Sequence, residues 1–139
     1  QSRDALAKGA YVLAETEGKA PDIILMASGS EVSLILEAKR ELEKEGWGVR
    51  VVSMPSWELF EQQDEAYKQE VLPPSVTKRL AVEMAHPLGW ERYVGSDGAV
   101  LGIATFGASA PGKKVMEEFG FTLSNVVEKA KGLLQASRG

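Results

Sequence analysis

The sequence predicts an open α/β sheet. Three observations carry that prediction: a βαβ unit over residues 22–57, strand and helix patterns that alternate along the chain, and a second strand that is apolar at every position. The unit runs from Asp22-Ile-Ile-Leu-Met-Ala27 through Ser28-Gly-Ser30 into an amphipathic stretch, and leaves through Val49-Arg-Val-Val-Ser-Met-Pro-Ser56. A connection of that length lets two strands pair in parallel, which a tight turn cannot do.

The first strand is the β-prone run Gly9-Ala-Tyr-Val-Leu-Ala14. The connector Glu15 to Pro21, broken by Gly18 and Pro21, is too short for a crossover of about a dozen residues, so this strand runs antiparallel to the second if the two are neighbours. Strand two, Ile23 to Ala27, does not alternate, the pattern of a central strand covered on both faces. The helix after it opens on a capping box: Ser28 can accept from the Glu31 N–H while the Glu31 side chain reaches back to the Ser28 N–H. Val32, Ile35, Leu36, Ala38 and Leu42 recur at helical spacing, and Gly46 stands where a left-handed residue would end the helix.

Strand three, Val49 to Met54, stops at Pro55, which has no N–H for a ladder bond, and Ser56 can cap a helix over Trp57 to Gln62. A second helical stretch, Asp64 to Val71, ends at Pro73-Pro74. Strand four is Arg79 to Met84 and strand five Ala99 to Ala104, joined by connections long enough for parallel pairing. Phe106 to Gly112 turns into a helix that Gly120 breaks after Phe119. Thr122 or Ser124 then caps a closing helix with Val126, Val127, Ala130, Leu133 and Leu134 inward.

Composition narrows the function. The 139 residues, 44% of them apolar, suffice for one domain that buries roughly two-thirds of its unfolded surface. With 16 basic against 20 acidic residues, the net charge of −4 argues against nucleic acid or an anionic membrane as partner. The absence of cysteine excludes disulfides and thiolate metal sites, and fits a reducing cytoplasm. No apolar run approaches the ~20 residues of a transmembrane helix, and no signal-peptide layout is present.

Few residues invite a chemical role. Ser28, Gly29 and Ser30 lie at the carboxyl end of strand two, where backbone N–H groups and a helix start can hold an anion or small ligand, as at the ends of open sheets generally. The run lacks G-x-G-x-x-G and the Walker lysine, and Glu31 adds negative charge, so helix capping is the favoured reading. Ser109, in Gly107-Ala-Ser-Ala-Pro111, superficially matches a nucleophile elbow. Pro111 replaces the second glycine, however, and the single histidine, His86, precedes it. His86 has no Cys, His or paired carboxylate nearby for a metal, and Glu83 on the preceding strand reads first as structural. Trp57 and Trp90, in loops or first turns, are the candidates for a subunit interface.

Val51-Val-Ser-Met-Pro-Ser-Trp57, Phe60, Asp64-Glu-Ala-Tyr67, Val71-Leu-Pro-Pro74, Arg79-Leu-Ala-Val-Glu83, Tyr93-Val-Gly95, Phe106-Gly-Ala-Ser-Ala-Pro111, Glu118-Phe-Gly-Phe121 and Asn125-Val-Val127 follow in order. Together they closely resemble the C-terminal, third domain of transketolase, and the resemblance covers roughly Ala7 to Leu134. It implies a single domain over residues 1–139, with a core at about 7–135, built as a three-layer open sheet of five strands, four parallel and one antiparallel, with helices on both faces. It further implies a homodimeric parent enzyme that moves two-carbon ketol units between sugar phosphates with thiamine diphosphate and a divalent cation, magnesium or calcium.

The family's diphosphate and metal site needs a Gly-Asp-Gly and later paired asparagines. This chain has Ser96-Asp-Gly98 and one asparagine, Asn125. The resemblance therefore implies no catalytic, cofactor-binding or metal residue here. The expected role is structural, in contact with the other domains of the subunit and with the second subunit of the dimer. A regulatory small-molecule or nucleotide site at the carboxyl end of the sheet, around Ser28 to Ser30 and the turns Met54 to Ser56 and Phe106-Gly107, is the alternative.

Overall fold

The computed structural model describes residues 7–29, 31–83, 89–102 and 123–136. Five strands, β1 (Tyr11–Glu15), β2 (Ile23–Ala27), β3 (Val49–Ser53), β4 (Arg79–Glu83) and β5 (Ala99–Gly102), form one sheet in the order β1-β3-β2-β4-β5. The helices are α1 (Glu31–Lys44), α2 (Trp57–Glu61), α3 (Glu65–Val71), α4 (Glu91–Val94) and α5 (Leu123–Ala136). The expected helix over residues 112–119 lies outside the described residues.

β2 pairs in parallel with β3 on one side and β4 on the other, and β4 pairs in parallel with β5. β1 is antiparallel, as its short connector requires, yet its neighbour is β3 and not β2: Tyr11 faces Ser53 and Glu15 faces Arg50 across a bulge between Val12 and Ala14. Both flanks of β2 are taken, by β3 and by β4, so β1 lies on the outer edge of β3. A single arginine fixes this edge. Arg50 Nε and Nη2 donate to Glu15 Oε2 at 2.9 and 2.7 Å, while Nη1 donates to the carbonyls of Glu70 and Val71 at the end of α3.

Every β2 residue is fully buried, and alternate side chains feed two different cores. Ile23, Leu25 and Ala27 join Ile35, Ala38 and Leu42 of α1 and Val126, Ala130 and Leu134 of α5 on one face. Ile24 and Met26 join Phe60 of α2, Val71 of α3, and Trp90, Tyr93 and Val94 at α4 on the other. The result is three layers, with five strands between helices.

The caps follow local chemistry. Ser56 Oγ accepts from the Leu59 N–H at 3.2 Å and Asp64 Oδ1 accepts from the Tyr67 N–H at 2.9 Å. Gly46 adopts φ +93° where α1 ends, a conformation that side chains disfavour.

Candidate functional site

The sheet has a topological switch point. The chain leaves β2 for α1 on one face and then β3 on one flank, whereas it leaves β4 for α4 on the opposite face and then β5 on the other flank. Connections that part in this way open a crevice at the carboxyl ends of the two strands, where open sheets bind ligands.

Ser28 and Glu83 stand there. The Ser28 hydroxyl, one residue beyond β2, donates to Glu83 Oε1 at 2.8 Å, tying the ends of two adjacent parallel strands together. Glu83 is 6% exposed and Glu31, the first residue of α1, 8%. Gly29 is exposed, with φ +65°, and the Glu31 carboxylate borders it. Two carboxylates flanking the turn repel an anion, and the Ser28 proton already points at one of them. What the turn offers chemically is acceptor oxygen, suited to a hydroxyl or amine donor. Ser30, His86 and Ser109 lie outside the described residues, as does the Phe106-Gly107 turn. The Met54 to Ser56 turn is closed from within: the Met54 N–H donates to the Ala27 carbonyl and the Ser56 N–H to the Gly9 carbonyl.

A concave region lies along the layer of α2, α3 and α4. One cleft of about 580 Å³ is lined by Trp57, Glu58, Glu61, Gln62 and Arg92. It continues, through the shared Glu61 and Arg92, into another of about 540 Å³ that reaches Glu65, Lys68, Leu72 and Asp97. Trp90 is 1% exposed and sits beneath the half-buried Trp57, ring edge to ring face at 5.0 Å. Of the two tryptophans, Trp57 alone presents surface to a partner.

Sequence reading missed the polar network under this groove. The Tyr93 hydroxyl donates to Glu61 Oε2 at 2.7 Å, and Lys68 Nζ reaches Glu61 Oε1 at 3.3 Å. The Tyr93 hydrogen bond, followed by Lys68 and Arg92, holds the Glu61 carboxyl below its ordinary range. Burial, reinforced by Glu61, pushes the Tyr93 hydroxyl up to about 12. Arg79 is spent on the backbone: its guanidinium donates to the carbonyls of Val76, Tyr93, Leu72 and Pro73 at 2.8–3.2 Å. The partners are scattered over 32 positions, so no local motif signals the network.

Among the described residues, no group of three or more His, Cys, Asp or Glu side chains could hold a metal ion, and no helix is long and apolar enough to cross a membrane.

The family model described as Transketolase-like TK C-terminal domain matches residues 9–122. A transketolase of Halalkalibacterium halodurans is 60% identical over 132 residues, 95% of this chain and 20% of that protein. A transketolase of Geobacillus stearothermophilus is 55% identical over 94% of the chain, again 20% of its own length. Among solved structures, transketolase from Leishmania mexicana superposes with a TM-score of 0.83 at 38% identity, over 96% of this chain and 19% of that one. A transketolase mutant from Pichia stipitis does so with a TM-score of 0.84 at 36% identity, over 98% and 19%. The chain spans about a fifth of the length of these relatives.

Proposed function

Because the chain belongs to the transketolase-like C-terminal domain family, we propose that it is one domain, with a core at about residues 7–135, of a longer transketolase subunit. That subunit transfers two-carbon ketol units between sugar phosphates, using thiamine diphosphate and a divalent cation bound elsewhere. The observation that carries the reading is the 60% identity to the Halalkalibacterium halodurans transketolase, held over 95% of this chain.

Within that enzyme the domain is non-catalytic. It supports the architecture, touches the other domains and contributes to the contact with the second subunit of a homodimer, in the cytoplasm. The sequence supports this division: it carries Ser96-Asp-Gly98 but no Gly-Asp-Gly, and Asn125 is the single asparagine. A hard cation wants several fixed oxygen ligands, which this composition does not supply in that pattern. Trp57, held over Trp90, is the residue suited to an interface.

The test is thermal unfolding of the chain with and without thiamine diphosphate and magnesium. The expected result is an unchanged melting temperature. A ligand at 100 times its dissociation constant would add about 2.7 kcal/mol, several degrees for a domain of this size, and such an upward shift would refute the non-catalytic assignment.

A further inference from the structure

The groove beside Trp57 has the anatomy of a docking site. Trp57 is set before any partner arrives: it packs edge to face on Trp90 at 5.0 Å and on Tyr93 at 5.5 Å, and Gly89 leaves room for its ring where a Cβ would stand 2.8 Å away. A half-exposed tryptophan fixed in this way loses little side-chain freedom on binding. Leu59, on the same short helix, is 37% exposed, one of two large apolar side chains so exposed among the described residues.

Around this apolar centre the carboxylates of Glu58, Glu61, Glu65 and Asp97 outnumber the cations of Lys68, Arg79 and Arg92. Glu61 is satisfied by Tyr93 and Lys68, with Arg92 at 3.9 Å, and the Arg79 donors are spent on carbonyls. Glu58, at the Trp57 end, and Asp97, at the far end, have neither an ion pair nor a hydrogen bond among the described residues. An aromatic ring beside an unpaired carboxylate suits a guanidinium or ammonium group with an apolar stem. With Lys68 and Arg92 drawn to Glu61, an anionic partner would meet the carboxylates of Glu58 and Asp97.

We propose that this groove seats another part of the same longer subunit through a lysine or arginine side chain laid between Trp57 and Glu58. The inference rests on the reading of the chain as one domain of a longer transketolase, and it identifies the face by which that domain is held.

Hydrogen exchange read by mass spectrometry tests it, comparing the chain alone with a full-length transketolase subunit that contains it. Amides of residues 57–62 are expected to exchange at least ten-fold more slowly in the full-length subunit. Glu58→Lys in that subunit should return them to the rate of the chain alone, whereas Glu37→Lys, at an exposed position of α1, should leave them protected. Equal exchange of 57–62 in both proteins, with slowing elsewhere in the domain, overturns the groove assignment and leaves the domain reading standing. Protection that survives Glu58→Lys overturns the role of the cation. Slowing nowhere in the domain overturns both the groove assignment and the reading beneath it.

Discussion

Arg79 carries no chemistry toward a ligand, yet it is the side chain on which most of one layer depends. Its guanidinium satisfies four carbonyls, drawn from the end of α3, the loop before β4 and the end of α4. Arg79→Met keeps much of the stem and removes every donor, so buried acceptors lose their partners. The expected cost is about 2–4 kcal/mol, read as a lower urea midpoint with an unchanged slope. The Tyr93–Glu61 pair is linked to pH in both directions. Glu61 has a lowered folded pKa, so its contribution is present above its ordinary value of 4.5 and fades as pH falls through the folded value. Tyr93 has a raised one, so its contribution is present below 10 and fades as pH climbs toward about 12. Tyr93→Phe should therefore flatten both the acid and the alkaline limb of a stability profile. The change at the acid limb should stay under about 1 kcal/mol, since the Glu61 side chain is 40% exposed and screened by solvent.

At the scale of elements, β1 shows how a backbone contact decides what a pattern leaves open. Gly9, at φ +85°, lies against the start of α2, and a Cβ there would strike the Ser56 carbonyl and the Phe60 N–H. Gly46 has a similar φ of +93° but open space around it. Gly46→Ala should cost about 1 kcal/mol for the left-handed backbone alone, and Gly9→Ala clearly more, because α2 or β1 must also shift. A smaller loss at Gly9 than at Gly46 in chemical denaturation would refute this docking. The sequence was legible where the cause was local: the all-apolar β2, the end of α1 before Gly46, the Ser56 cap and the stop at Pro55 each follow from residues within one turn or strand, whereas α1 begins at Glu31, after a left-handed Gly29, and not directly after Ser28. Strand neighbours were not legible, since no period distinguishes β2 from β3 as the partner of β1. The four residues of α4 are too few to show a helical repeat. Nor could Ser28 announce Glu83, which lies 55 positions away and reaches it only once β2 and β4 pair.

For the molecule as a whole, the buried side chains of the described residues fall into two cores, one on each face of the shared sheet. Ile23 and Leu25 look to α1 and α5 while Ile24 and Met26 look to α2, α3 and α4, so neither layer can leave without baring half of β2. This arrangement ties the two layers into one cooperative transition. The tryptophans allow the claim to be checked, because Trp47 packs against the first core whereas Trp57 and Trp90 belong to the second. A Trp47→Phe variant reports fluorescence from the second face alone, and a variant with Trp57→Phe and Trp90→Phe reports it from the first. In each variant the urea transition followed by fluorescence should coincide with that followed by far-ultraviolet circular dichroism. Adding Leu42→Ala, which opens a cavity under α1 at a cost of about 2–5 kcal/mol, should then lower the midpoint seen by the second-face probes as much as by Trp47. If only Trp47 senses that substitution, the faces unfold separately, and the sheet would not be transmitting the loss from one layer of helices to the other.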